Sequence, residues 1–139
     1  MAKSSFQFIQ PVVTMARFEM LRPVVDQSEN KCDVHIKHEV VRNKENNSAY
    51  VQVVVQVNKK EEEIIGDALF YIEIAMQSAF KWDNSLSEED VDKLLKYNAT
   101  ALLISYIRPI IVNMTYMSPV STINLPYINL NRLFEEKDS

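Results

Sequence analysis

Ala101-Leu-Leu-Ile-Ser-Tyr-Ile-Arg-Pro-Ile-Ile-Val-Asn-Met-Thr-Tyr-Met117 is the stretch that decides how this chain folds. Leu102, Leu103, Tyr106, Ile107, Ile110, Ile111, Met114 and Met117 recur at three- and four-residue spacing, one face of a helix. Ile104, Val112 and Tyr116 widen that face until little polar surface remains. A helix that is apolar nearly all round must be covered on both sides. The rest of the chain supplies a single sheet and so a single cover. The other side is expected to be covered by a second copy of the chain, making it an oligomer. Leu103, Ile107, Ile110, Ile111 and Met114 are expected both to pack the core and to lie near that seam. Pro109 lacks a backbone donor and is expected to kink the helix or split it in two.

Outward from the helix, Ser87-Glu-Glu-Asp90 is an S-x-x-D variant of the capping box, with acid in the first turn and Lys93 and Lys96 beyond it. Upstream the period changes to two, the mark of strands. In Cys32 to Val40, Cys32, Val34, Ile36 and Val40 share one side, while Asp33, His35, Lys37 and Glu39 share the other. Asn43 to Ser48 is a polar turn. In Tyr50 to Val57, Val51, Val53, Val55 and Val57 alternate with the rest. Asn58 to Glu63 is a charged turn. A further strand runs near residues 64 to 81, its even positions (Phe70, Ile72, Ile74, Met76, Phe80) core and its odd positions mixed. Phe6 to Leu21 reads as a first strand of blurred parity, with Pro11 marking a bulge or an edge. Downstream, Pro119 and Pro126 bracket an extended connector, and Asn129 to Glu136 is a short closing helix. The expected architecture is a single α+β domain over 1–139: a four-stranded antiparallel meander sheet, a long helix and a short C-terminal helix.

Composition narrows the function. The chain has 139 residues, 47% hydrophobic and 24% charged, enough to bury a core. Fifteen basic residues against nineteen acidic ones give a net charge of −4, no electrostatic footprint for nucleic acid or anionic lipid. Gly66 is the only glycine. A glycine-rich phosphate loop, a dinucleotide fingerprint and a normal calcium loop are therefore excluded. The single Cys32 permits no internal disulfide and fits a reducing compartment. No signal-peptide block and no run near ~20 apolar residues is present, so the expected location is the cytoplasm, with no membrane insertion. His35 and His38 fall on opposite sides of a strand and cannot converge on one metal ion. No serine sits in a nucleophile elbow, and the carboxylates at Glu61–Glu63 and Glu88–Asp90 belong to a turn and a helix start. No catalytic constellation, metal or cofactor is expected.

Leu103-Ile-Ser-Tyr106-Ile-Arg108 with Met114, then Ile123-Asn-Leu125, Ile128-Asn129 and Leu133-Phe134, together with strands in meander order, resemble the SecB family of bacterial export chaperones. Phe18-Glu19 is similar to the acidic end of that family's first strand, and Glu73 in its Ile-Glu-Ile setting to the last. The resemblance implies a cytoplasmic homotetramer, a dimer of dimers, that holds unfolded preproteins without ATP. It implies a client groove between sheet and connector, here Val34 and Ile36 with Ile123, Leu125, Tyr127, Leu130, Leu133 and Phe134. It implies that Glu19 and Glu73, on faces that read as solvated, meet the translocation motor SecA by charge complementarity. Four departures stand out. Pro109 replaces a non-proline helix residue, and Met76-Gln-Ser-Ala79 stands where the family has glycines. Met15 or Ala16 occupies the place of a second acid, and the chain ends soon after the closing helix without the family's long polar tail. The missing acid and tail point also to a SecB-like chaperone dedicated to one client, such as an antitoxin. Two other classes share the outline: a small-ligand or lipid-binding α+β domain, and a thioesterase-type enzyme, the latter disfavoured by the lack of a suitable acid or nucleophile on the helix.

Overall fold

The computed structural model describes residues 5–22 and 32–116. Among the described residues seven strands precede the helix: β1 (Phe6–Phe8), β2 (Val12–Met20), β3 (Val34–Asn43), β4 (Ser48–Val57), β5 (Lys59–Lys60), β6 (Glu63–Ile64) and β7 (Phe70–Trp82). β1, β2, β7, β4 and β3 make one antiparallel sheet, and β5 and β6 a separate two-stranded hairpin. β3, β4 and β7 follow one another as a meander, as the short turns require. The first strand does not neighbour the second. It crosses to the far side and runs along β7, so β7 is central and β3 is an edge.

The first strand is broken for a physical reason. Residues 9–11 stand opposite only Ala79 and Ser78, between the pairs Phe8↔Phe80 and Val12↔Gln77. Pro11, which has no N–H to give, sits at this bulge. Ile9 still donates to the Ala79 carbonyl at 2.9 Å, and the Ser78 hydroxyl donates to the Ile9 carbonyl. A second irregularity lies between Val13 and Met15, where the Thr14 hydroxyl donates to the Ala75 carbonyl at 3.3 Å. Each extra residue turns the next side chains to the opposite face. Phe6 and Phe8, then Val13, then Ala16, Phe18 and Met20 thus all oppose the even residues of β7. That is why parity is blurred in the sequence.

One face of the sheet carries the core. Val51, Val53 and Val55 of β4 and Ile72 and Ile74 of β7 are wholly buried, with Phe70 and Phe80 beside them. The helix lies over β4 and β7. It begins as α1 (Glu88–Lys93), widens into a π turn at Leu94–Asn98 and continues as α2 (Ala99–Tyr116). Most of its buried residues fall at every fourth position, Val91, Leu95, Ala99, Leu103, Ile107, Ile111 and Thr115, with Thr100 and Ile104 buried beside them. A strict four-residue repeat drifts about 40° per step around an α-helix. The single i→i+5 turn takes up part of that drift and keeps the stripe on the sheet.

Ser87 caps the helix as its spacing predicts, accepting from the Asp90 backbone N–H at 3.1 Å. Ser87→Ala is expected to lower stability by about 1 kcal/mol, read as a shift in the urea midpoint at unchanged slope. Of the kink or split expected at Pro109, the split is not made. α2 runs through the proline. The carbonyl that loses its partner belongs to Ser105. Both residues are exposed, so water can take the free acceptor.

Candidate client and partner surfaces

The expected client strand is an edge. Among the described residues β3 pairs with β4 alone, which places it at the edge of the described sheet. Val34 and Ile36 stand opposite Val57 and Val55, on the helix-bearing face. Ile36 is buried and Val34 half-buried. Ile123, Leu125, Tyr127, Leu130, Leu133 and Phe134, the other half of the expected groove, lie outside the described residues.

Further along the same strand is a feature that sequence reasoning missed. His38, Val40 and Arg42 face Asp92, Leu95 and Lys96 across an open cleft of about 460 Å³ between β3 and the start of the helix. Even-numbered spacing on β3 put His38 and Val40 on this side. Nothing in the sequence placed the π turn opposite them. Arg42 ties strand to helix: Nη1 donates to Asp92 at 2.7 Å and Nη2 to Glu88 at 3.0 Å, and its guanidinium lies 5.4 Å from the centre of the Trp82 ring.

Cys32 precedes the strand rather than sitting on its apolar face, and it is exposed. The chain around the sulfur, and then the Asp33 carboxylate, push its thiol above the usual value, which works against nucleophilic use. His35 and His38 oppose Gln56 and Val53 in the register and therefore lie on opposite faces.

The two acids expected to meet a motor protein are placed differently from one another. Glu19 is exposed at the end of β2 and accepts a hydrogen bond from the Tyr71 hydroxyl at 2.9 Å. That bond, followed by burial and the carboxylate's charge, holds the Tyr71 phenol above its ordinary pKa. Glu73, read as solvated, is only 8% exposed. Gln56 donates to its Oε2 at 2.5 Å, and Lys59 Nζ lies 3.4 Å from its Oε1. The solvated reading fails because the β5–β6 hairpin brings Lys59 against the odd face of β7, a contact no local pattern announces.

On the helix, Leu103, Ile107 and Ile111 are wholly buried against their own sheet. Of the five residues expected near an intersubunit seam, Ile110 and Met114 keep partial exposure. Tyr106 and Tyr116, on the outer side, are 38% and 77% exposed.

Among the described residues, no group of three or more His, Cys, Asp or Glu side chains is arranged to hold a metal ion. No described helix is long and apolar enough to cross a membrane.

Comparison with known proteins bears on this arrangement. In fold the chain is similar to the SecB-like chaperone Rv1957 of Mycobacterium tuberculosis, solved in complex with a ChAD peptide from the antitoxin HigA1 (Rv1956). The TM-score is 0.69 at 11% identity, covering 90% of this chain and 91% of that one. It also aligns with a Streptococcus agalactiae protein of unknown function at a TM-score of 0.48 and 14% identity, covering 91% of this chain and 100% of that one. No curated protein matches the sequence. The SecB family profile, described as preprotein translocase subunit SecB, matches residues 11–139. An antiparallel sheet backed by a long apolar helix, spanned almost end to end by that profile, makes this chain a member of the SecB family.

Proposed function

We propose that the chain is an ATP-independent holdase that shields apolar segments of non-native polypeptides and releases them to a second protein. SecB is a chaperone family, not an enzyme family. The observation that carries the reading here is the edge position of β3, which among the described residues pairs with β4 alone, with Val34 and Ile36 on its core side and the cleft at Val40 and Leu95 beyond them. An unpaired strand edge beside apolar side chains suits extended chains of varied sequence: backbone bonds supply affinity and pockets ask little of the side chains. Ile123, Leu125, Tyr127, Leu130, Leu133 and Phe134 complete that groove in our reading. A chemically denatured protein diluted into buffer is expected to scatter less light in the presence of near-stoichiometric tetramer. Undiminished scattering would remove the holdase reading, and a lipid binder or enzyme would give that result.

Assembly is proposed as a cytoplasmic homotetramer, a dimer of dimers. Tyr106 and Tyr116 leave apolar surface on the outer side of α2, and Ile110 and Met114, packed against the edge of the core, keep part of theirs; such surface on a helix is normally covered. Tyr106→Glu with Tyr116→Glu, at the two exposed positions, is expected to lower the sedimenting mass to that of a smaller folded species at micromolar concentration. An unchanged mass places the seam elsewhere.

Two clients are in view. General preproteins, handed to SecA through Glu19 and Glu73, follow from the family. A single dedicated client is favoured by the fold's likeness to a chaperone solved with an antitoxin peptide and by the burial of Glu73, which leaves Glu19 as the open acid. Mass spectrometry of what co-purifies separates them: one stoichiometric partner against many substoichiometric ones.

A further inference from the structure

We propose that Glu19, Tyr71 and Glu73 form a cup for a lysine or arginine side chain of a partner protein, and that Lys59 is the chain's own plug in it. The inference deepens the partner contact proposed for Glu19 and Glu73 and does not depend on client holding. Lys59 Nζ lies 3.4 Å from Glu73 Oε1 and 5.2 Å from the centre of the Tyr71 ring. The far end of that ring donates to Glu19 at 2.9 Å. A carboxylate, an aromatic face and a second carboxylate beyond it make a receptor for an organic cation, the attraction coming from charge and from the ring quadrupole together.

Lys59 reaches this cup on an element that can separate from the sheet. β5 and β6 pair through two residues each, Lys59↔Ile64 and Lys60↔Glu63. The hairpin is tied down chiefly by one side chain. Gln56 donates to the Glu61 carbonyl at 2.9 Å and accepts from the Glu61 N–H at 3.1 Å. Beyond the Lys59–Glu73 pair and a bond from the Ile65 N–H to the Asn58 carbonyl at the hairpin's base, 3.0 Å, it is held by an exposed ion pair from Lys37 to Glu61 at 3.4 Å, a contact of small worth in water. Glu61 turns the hairpin at φ 56°, in the left-handed region that a glutamate adopts at a cost. Asn58 is better anchored, donating to the Phe70 carbonyl at 3.2 Å and accepting from the Asp33 N–H at 3.1 Å. The anchored residue is therefore the pivot and the hairpin beyond it the moving part. At 3.4 Å the ammonium sits farther from its carboxylate than the 2.7–2.9 Å of a well-made charge-assisted bond, so a partner's cation with better geometry can displace it. In the free chain Lys59 offsets the Glu73 carboxylate and covers the Tyr71 ring, with Arg17 opposite Glu73 on the neighbouring strand; a partner that engages the cup displaces Lys59 and lifts the hairpin.

The probe is a fluorescein-labelled octapeptide of alternating lysine and serine, with the glutamate–serine peptide as control, titrated by anisotropy into wild type, Lys59→Met and Lys59→Met/Glu73→Gln. If the plug leaves the cup open about one-tenth of the time, removing it tightens binding on the order of tenfold. That gain is expected in Lys59→Met and lost in the double variant. In the wild-type chain, saturating peptide is expected to accelerate amide exchange over residues 60–65; this readout decides the matter if Lys59→Met proves unfolded by circular dichroism. Equal affinity for wild type and folded Lys59→Met, a gain that survives Glu73→Gln, or a bound peptide that leaves hairpin exchange unchanged would each overturn the plug. Light scattering with a denatured client, run on the same samples, reports the holdase reading separately.

Discussion

Ile107→Ala is expected to destabilise the folded chain by about 2–5 kcal/mol, whereas Tyr106→Ala, one residue away, stays within about 1 kcal/mol at concentrations where the subunits are dissociated. Ile107 is wholly buried over β4 and β7, and Tyr106 is 38% exposed on the other side of α2. Truncating Ile107 removes apolar atoms from the core and leaves a cavity that a close-packed sheet cannot collapse to fill. Truncating Tyr106 removes surface that only another copy can cover, so its effect belongs in the association constant. Urea unfolding at low and high protein concentration reads both. If the two substitutions cost the same, α2 does not present the face described, and both the core and the proposed seam must be reassigned.

The second large effect is expected at Glu73. Glu73→Ala leaves the Lys59 ammonium, with its side chain 11% exposed, facing no carboxylate. Breaking a buried pair from one side costs about 3–5 kcal/mol, because the remaining charge stays desolvated and uncompensated. The Gln56 amide also loses one of its two acceptors, keeping the Glu61 carbonyl. Glu19→Ala removes an exposed carboxylate and one bond from Tyr71, and the expected loss is about 1 kcal/mol or less. The urea midpoint of each single variant tests the contrast. Similar midpoints for both would restore Glu73 to the solvated role that its strand position implies. The pairing also dictates how the motor contact is tested. Charge reversal at Glu73 sets a like charge against Lys59 and damages the fold, so a binding defect there says nothing about docking. Glu19→Lys is the clean variant.

How far the sequence could be read is clearest where period and position agree. The alternating valines of β4 and the even residues of β7 were legible as core because a strand shows one face at every second residue. The Ser87 cap was legible because its partner lies three residues away. The apolar stripe of α2 was legible for the same reason: everything that defines it lies within a few turns. The first strand resisted because bulges at residues 9–11 and at Thr14 reverse its faces twice, and no bulge is visible until the partner strand is in place. Its position beside β7 was equally hidden, since the turns that order β3, β4 and β7 carry no information about a strand that returns from far away.

Site residues divide along the same line. Val34 and Ile36 were found from their alternation and lie on the core-facing side of β3. The cleft at His38, Val40, Arg42, Asp92, Leu95 and Lys96 was not, because it is made by two segments some fifty positions apart, held together by the Arg42–Asp92 pair with an |i−j| of 50. Glu73 was read as open to water because its strand neighbours allow it. Its burial comes from Lys59 and Gln56, which a turn and a second strand bring across the face. Of the two outcomes expected at Pro109, a kink or a split, the split is not made, since the cost of a missing hydrogen bond depends on whether the freed carbonyl faces core or solvent, and only the packed helix decides that.

By itself, then, the order of residues determined the α+β class, the helix with its cap, the core faces of β4 and β7 and the resemblance that the family profile bears out. Each of these is a short-range matter of periodicity, capping or motif. The tertiary structure alone decided the place of the first strand, the burial of Glu73, the open cleft beside β3 and which side of α2 is spent on the subunit's own core. Those depend on contacts between distant segments, where backbone pairing, desolvation and the mutual cover of apolar faces are settled by the chain as a whole.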